Sequence, residues 1–284
     1  MWVGQQLADG LDFWGFLGSL ILGGIILGIY TGLLGYVGAK TGLSLDLLSQ
    51  RAFGEKGSYL PSAMTSFTQI GWFGVGSFVS GGTATPNFAR FAKDGKAGAI
   101  TTVVAFFIGN SLMFFFGAVS SIFVGGNDIF EVMVRLNLFY LAVLVLGLNI
   151  WTTNDNALYT AGLGLANIFH QRKKPMVLLS GIIGTVASVW LYYNFCGWLN
   201  ILNCTLPPVG MILVLAYFMN KEDFETDQPK LKTIDWFAVA GVILGAIVAN
   251  LLHWGIASIN GMVVAAVCYC VCLLYTSPSP RDGL

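Results

Sequence analysis

The sequence predicts an all-α fold, a polytopic transmembrane helix bundle, and three observations carry that prediction. First, 56% of the 284 residues are hydrophobic and only 10% are charged, with a mean hydropathy of +0.74, a balance suited to lipid rather than water as solvent. Second, apolar runs of about twenty residues recur along the chain, and a helix of that length crosses a hydrocarbon core of roughly 30 Å. Third, the runs lack the alternation of a barrel strand, so each backbone group in lipid must find its partner within a helix. Spans are expected near 12–38, 58–82, 98–124, 138–165, 175–195, 199–219, 234–253 and 257–275.

The first span is too long for a signal-peptide core and carries Gly24, Gly28 and Gly32, a spacing expected to let another helix approach closely. A loop with Lys40, Arg51 and Lys56 follows. The second span is Gly-rich towards its end, and Arg90, Lys93 and Lys96 follow it. After the third span the connection near 125–137 carries only Arg135. The fourth span is interrupted by polar residues and is followed by a basic loop with His170, Arg172, Lys173 and Lys174; this histidine is expected to be solvated, as is His253 at an outer helix end. Pro207 and Pro208 are predicted to kink the sixth span. Lys221, Lys230 and Lys232 precede the seventh, where Gly241 and Gly245 repeat the close-packing spacing.

Basic residues favour the cytoplasmic side of a membrane protein, which orients the chain. From residue 90 onward the alternation is regular. It fails once, because two basic loops flank the single span 58–82, and one crossing cannot have both ends inside. Either one basic loop breaks the rule, or an odd number of spans is missing between Tyr59 and Arg90, and the second reading is favoured. The chain begins with MWVGQQLADG, too short to span. From Cys272 the string CLLYTSPSPRD replaces apolar helix with turn residues and matches a reading frame of a common sequencing adapter. Residues 1–271 are therefore expected to form one transmembrane domain, and 272–284 a non-native tail.

Several function classes are excluded. The 14 basic and 14 acidic residues cancel, and no basic face interleaved with aromatics marks a nucleic-acid partner. No nucleophile elbow, phosphate-binding loop, zinc-protease motif or paired catalytic carboxylate occurs, so the chain is not expected to be an enzyme. The five cysteines, in or beside apolar stretches, read as packing thiols, with a Cys196–Cys204 disulfide as the alternative.

Polar residues within lipid-spanning helices are costly and normally face a bundle interior or a water-filled path. The densest set is LNIWTTNDNALY, Leu148 to Tyr159, in which Asn149, Thr152, Thr153 and Asn156 share one helix face. Amides can pair with a planar heterocycle, and Thr hydroxyls with backbone carbonyls can hold a desolvated Na⁺. The same groups also serve as hydrogen-bond glue between helices, and at this level both readings stand. Asp155 in the same turn favours the first. A second constellation is TQIGWFGVGSFVSGG, Thr68 to Gly82. There Gln69 sets an amide one turn from the Trp72 ring, at a depth too central for an interfacial belt. Ser77, Phe78 and Ser80 follow in a stretch whose glycines can expose main-chain groups.

These strings, with LGIYTGLLGYVGAKTGLSLDLLSQRAFGEKGSYLPS and GNSLMFFFGA, resemble the nucleobase:cation symporter-1 family, purine-cytosine permease type, through about Val271. The resemblance implies a fold of two inverted five-helix repeats plus two further helices, with a ligand site near mid-membrane. It implies that Gln69, Trp72, Ser77, Phe78, Ser80 and Asn149 contact the base, and that Thr152 and Thr153 coordinate sodium. The implied ligand is cytosine or a related nucleobase, taken up with Na⁺ or H⁺ by alternating access in a bacterial inner membrane, with no cofactor. Relative to that family the QIGW string belongs to the third helix and SFVS to the sixth, so the two are fused near 74–76. Backbone carbonyls that help hold sodium would precede Met1, which leaves an incomplete ion site and an incomplete inverted-repeat fold. Asn87 stands where many relatives carry an acid. The alternatives are a carrier of another nucleobase, a hydantoin or allantoin, or a non-functional membrane fragment.

Overall fold

A computed structural model describes residues 12–75, 84–125, 129–226, 229, 231–252 and 254–276. Eight long helices coincide with the expected spans to within a few residues over the described part. They are α1 (Phe13–Thr41), α3 (Tyr59–Val75), α5 (Gly95–Val124), α7 (Phe139–Phe169), α8 (Lys173–Tyr193), α9 (Phe195–Met219), α11 (Trp236–Leu251) and α12 (Ala257–Thr276). Short helices that hydropathy alone does not reveal lie between them: α2 (Leu45–Phe53), α4 (Pro86–Ala89), α6 (Ile129–Arg135) and α10 (Lys221–Glu225). Among the described residues there is no strand. α1, α5, α8 and α9 contain stretches long and apolar enough to cross a membrane by length and composition. α12 runs through Thr276, so the first residues of the expected tail are helical, and 277–284 fall outside the described residues.

Local signals set several ends. Asp12 accepts a hydrogen bond from Gly15 N at 3.0 Å and caps α1, Ser44 caps α2, and Asp235 accepts from Phe237 N and Ala238 N, each at 3.2 Å, to cap α11. Gly54 closes α2 at φ +85°, and a Cβ there would sit 2.6 Å from the Lys232 carbonyl oxygen. Only glycine meets both demands. The backbone beside it therefore docks onto the segment before α11: Glu55 N donates to Lys232 O at 2.7 Å, Lys56 N to Thr233 O at 2.8 Å and Asp235 N to Phe53 O at 2.6 Å.

α9 is the helix around which the others gather. Over its most apolar stretch 61% of residues are buried, against 6% in α5, whose outer face is left for lipid. Val209, Ile212, Leu213 and Tyr217 of α9 form a core with Leu34 and Val37 of α1, Leu48 and Phe53 of α2, and Val242 of α11. Pro207 and Pro208 lie inside α9 without ending it.

The glycine spacings act as close-packing seams. α1 lies along α5, and Cβ atoms at Gly32, Gly35 and Gly38 would come within 2.6, 2.5 and 2.7 Å of Val103, Thr102 and Pro86. Gly245 of α11 meets Gly261 of α12 similarly, a Cβ falling 2.6 Å from the Gly261 carbonyl oxygen. Small residues let helix backbones approach where no aqueous hydrophobic effect drives them together.

A buried polar network ties α2 to α3, α4 and α7. Ser62 Oγ donates to Asp46 Oδ1 at 2.6 Å, Asn167 Nδ2 donates to Ser58 Oγ and Ser62 Oγ at 3.0 and 2.9 Å, and Gln50 Nε2 donates to Asn167 Oδ1 at 2.6 Å. Asn87, fully buried, accepts from Leu45 N at 2.8 Å and so helps to cap α2. His170 is exposed, and its Nε2 lies 2.7 Å from the Tyr59 hydroxyl oxygen. His253 lies outside the described residues.

Candidate functional site

A cavity of about 810 Å³ opens among α3, α4, α5 and α7, large enough for a small planar ligand with water. Three helical stripes build it. α7 contributes Thr153, Asn156, Ala157 and Thr160, at i, i+3, i+4 and i+7. α5 contributes residues from Gly98 to Met113 at the same spacing, among them Thr101, Phe106, Gly109 and Asn110. The segment around α4 supplies Thr85, Phe88 and Phe91, and α3 supplies Gln69. α5 is held from behind by α1, and α7 by α3 and α8.

The described lining carries no charged side chain. It offers amides, hydroxyls and aromatic rings, a surface that suits an uncharged, planar, hydrogen-bonding molecule. Gln69 is buried and already engaged, Thr85 likewise, and the Thr102 hydroxyl donates to Gly98 O at 2.6 Å. The Thr160 hydroxyl is buried without a hydrogen-bond partner among the described residues. At one margin Arg90 bonds the Tyr159 hydroxyl, Phe88 leans on the Tyr159 ring at 6.2 Å, and the Lys173 ammonium sits 3.5 Å from that ring's centre. Charge thus borders the cavity without entering it.

The structure brings some of the expected site residues together and leaves others apart. Gln69 and Thr153, distant in sequence, line the same cavity, and Asn156 joins them. Asn149 and Thr152 are exposed on α7 and are not part of this lining; the Thr152 hydroxyl donates to Leu148 O and Asn149 O, both at 3.1 Å. Asp155 is also exposed and accepts from Trp151 Nε1 at 3.2 Å. The four-residue face read from spacing is therefore divided, with its later half at the cavity. Trp72 lies in α3, but its side chain falls outside the described residues, as do Ser77, Phe78 and Ser80 entirely. Cys204 is buried and free.

Sequence reasoning missed the α5 stripe and Thr85, Phe88 and Thr160. The α5 signal was present: Ile100, Val104, Ile108 and Leu112 are exposed and apolar, while Gly98, Thr102, Ala105 and Gly109 give another face small side chains.

Comparison with known proteins places this geometry in context. A family model described as permease for cytosine/purines, uracil, thiamine, allantoin matches residues 1–85 and 74–276. The cytosine permease of Escherichia coli (strain K12) is 35% identical over 364 residues, covering 95% of this chain and 86% of that protein. That alignment is longer than the 284-residue chain, so the relative has residues for which this chain has none. The allantoin permease of Bacillus subtilis (strain 168) is 34% identical over 82 residues, 29% of this chain and 16% of that one. In fold, the chain is similar to a nucleobase-cation-symport-1 family transporter solved in a closed conformation with bromovinylhydantoin bound. The TM-score is 0.76 at 15% identity, over 96% of this chain and 88% of that one.

Proposed function

The chain belongs to the family of permeases for cytosine/purines, uracil, thiamine and allantoin, and from that membership we propose that it carries cytosine across a bacterial inner membrane. One observation carries the ligand class: Gln69, Thr153 and Asn156, from helices far apart in sequence, line one uncharged cavity with Phe88 and Phe106. A neutral pyrimidine needs paired donors and acceptors along its edge and an apolar surface for its ring, and this lining supplies both.

Uptake is coupled to Na⁺, with H⁺ as the second candidate, by alternating access around the cavity. Thr153 at the cavity wall and Thr152 beside it are the proposed sodium-coordinating hydroxyls. Thr152 lies on an exposed edge of α7 with Asn149, and that edge needs a covering helix to complete an ion site. Such a helix fits the proposal that the chain is an internally deleted copy, fused near residues 74–76. Two facts support this: the family-model matches meet at 74–85, and the alignment to the Escherichia coli protein is longer than the chain.

Equilibrium binding of radiolabelled cytosine to the purified protein, with Na⁺ or with choline as the only cation, tests the reading. Saturable binding that strengthens with Na⁺ is expected. No cytosine binding under either condition overturns the function, and equal binding in both overturns sodium coupling. Reading the gene across codons 74–76 tests the deletion, because an uninterrupted genomic sequence identical to this one removes it.

A further inference from the structure

We infer that Asn110, on the α5 wall of the cavity, is a specificity-determining residue that hydrogen-bonds the polar edge of the carried heterocycle. The inference rests on the nucleobase reading above and extends it to a helix from which no ligand contact had been expected. Asn110 stands near the middle of the 30-residue α5, at the depth where water is scarcest, and it lines the cavity half-buried. Among the described residues it makes no hydrogen bond. Of the polar groups around it, Thr102 is bonded to Gly98 O and Gln69 and Thr85 already have partners, whereas the Thr160 hydroxyl across the cavity, like Asn110, has none among the described residues.

An amide at mid-membrane is costly to keep, and one that binds helices together shows a partner on another helix. Among the described residues Asn110 has none, so glue between the described helices does not account for it. The amide carries two donors and an acceptor in one plane, a match for a ring edge with an acceptor and a donor side by side. Its surroundings suit such a ring. Gly109 next to it adds no side chain, and a Cβ there would meet nothing within 4 Å, so the amide borders open space. Phe106 and Met113, one turn to either side, border the same cavity and give the ring an apolar seat.

Cytosine has both groups on one edge, pyrimidin-2-one lacks the exocyclic amine, and 4-aminopyrimidine lacks the carbonyl. Binding of these three compounds to the wild type, N110A and N110S, all purified in detergent and checked for monodispersity, tests the inference. For cytosine, N110A is expected to weaken binding at least tenfold, and N110S less. For the analogue missing the group that Asn110 reads, wild type and N110A should differ by less than threefold. A merely structural role would weaken all three compounds alike, and that result, or unchanged cytosine binding, overturns the inference. Should N110A not fold, N110S decides by the same ratios. A wild type that binds none of the three overturns the nucleobase reading and this inference with it, whereas a binding wild type with indifferent variants overturns this inference alone.

Discussion

Replacing Asp46 by Asn is the sharpest test of the buried network beside α2. Asp46 is 6% exposed and accepts from Ser62 Oγ at 2.6 Å. Burial pushes its carboxyl up from 3.8 to about 6, against the opposing pull of the Ser62 hydrogen bond, a backbone N–H and the Arg90 charge. The sign follows directly. Between the two values the folded chain holds a proton that the unfolded chain releases, so Asp46 favours the fold most below about pH 4, and that contribution is lost as pH rises through about 6. At about 1.4 kcal/mol per unit, a rise from 3.8 to about 6 corresponds to about 3 kcal/mol of stability surrendered at neutral pH. Asn resembles the neutral carboxyl in shape and still accepts from Ser62, so D46N should remove the penalty. In thermal unfolding of detergent-purified protein at one scan rate, D46N should match the wild type at pH 4 and exceed it at pH 7.5. The expected difference is about 5–10 °C, since about 1 kcal/mol moves the midpoint by a few degrees in a chain of this size. Parallel curves across this range, or a D46N less stable at pH 7.5, would refute the reasoning and recast Asp46 as an anion held by Arg90.

Other outcomes follow from the packing. G245A should lower the unfolding midpoint by an amount equivalent to ~1–3 kcal/mol, because its Cβ would press on the Gly261 carbonyl at 2.6 Å. G23A, where nothing lies within 4 Å, should be neutral or stabilising by up to ~1 kcal/mol in the same assay. G54A should speed hydrogen exchange at the Glu55 and Lys56 amides, because a φ of +85° and the nearby Lys232 carbonyl both oppose a side chain. N167A strips a partner from each of Gln50, Ser58 and Ser62 and should cost ~1–3 kcal/mol, read as a lowered midpoint at pH 7.5.

The spans were legible because apolar runs of the required length separate basic loops, and the helices start and stop within a few residues of those runs. The short helices were not, since α2 and α10 are too short and too interrupted by charge for hydropathy to register and are held by tertiary contacts, as with Phe224 buried against Tyr217. In the cavity lining, Thr153 and Asn156 stand together as the period of α7 groups them. That period could not say where the cavity ends along that face, because Asn149 and Thr152 share the period while the neighbours that would line them are set by chain topology. Asn110 went unnoticed for a related reason: one amide in an apolar run has no periodic companion, and only the placement of α5 against α1 turns it inward.

Gly32 and Gly35 seat the Val103 and Thr102 side chains of α5 directly on the main chain of α1, and Gly38 does the same for Pro86 of α4. Sliding one helix along the other would drive Val103 or Thr102 into backbone, so the pair has a single register and moves as one strut. Whatever widens or narrows the chamber by shifting its α5 wall must swing α1 as well, and α1 abuts α9. A displacement of that wall would therefore be felt at the contacts α1 makes with α4 and α9.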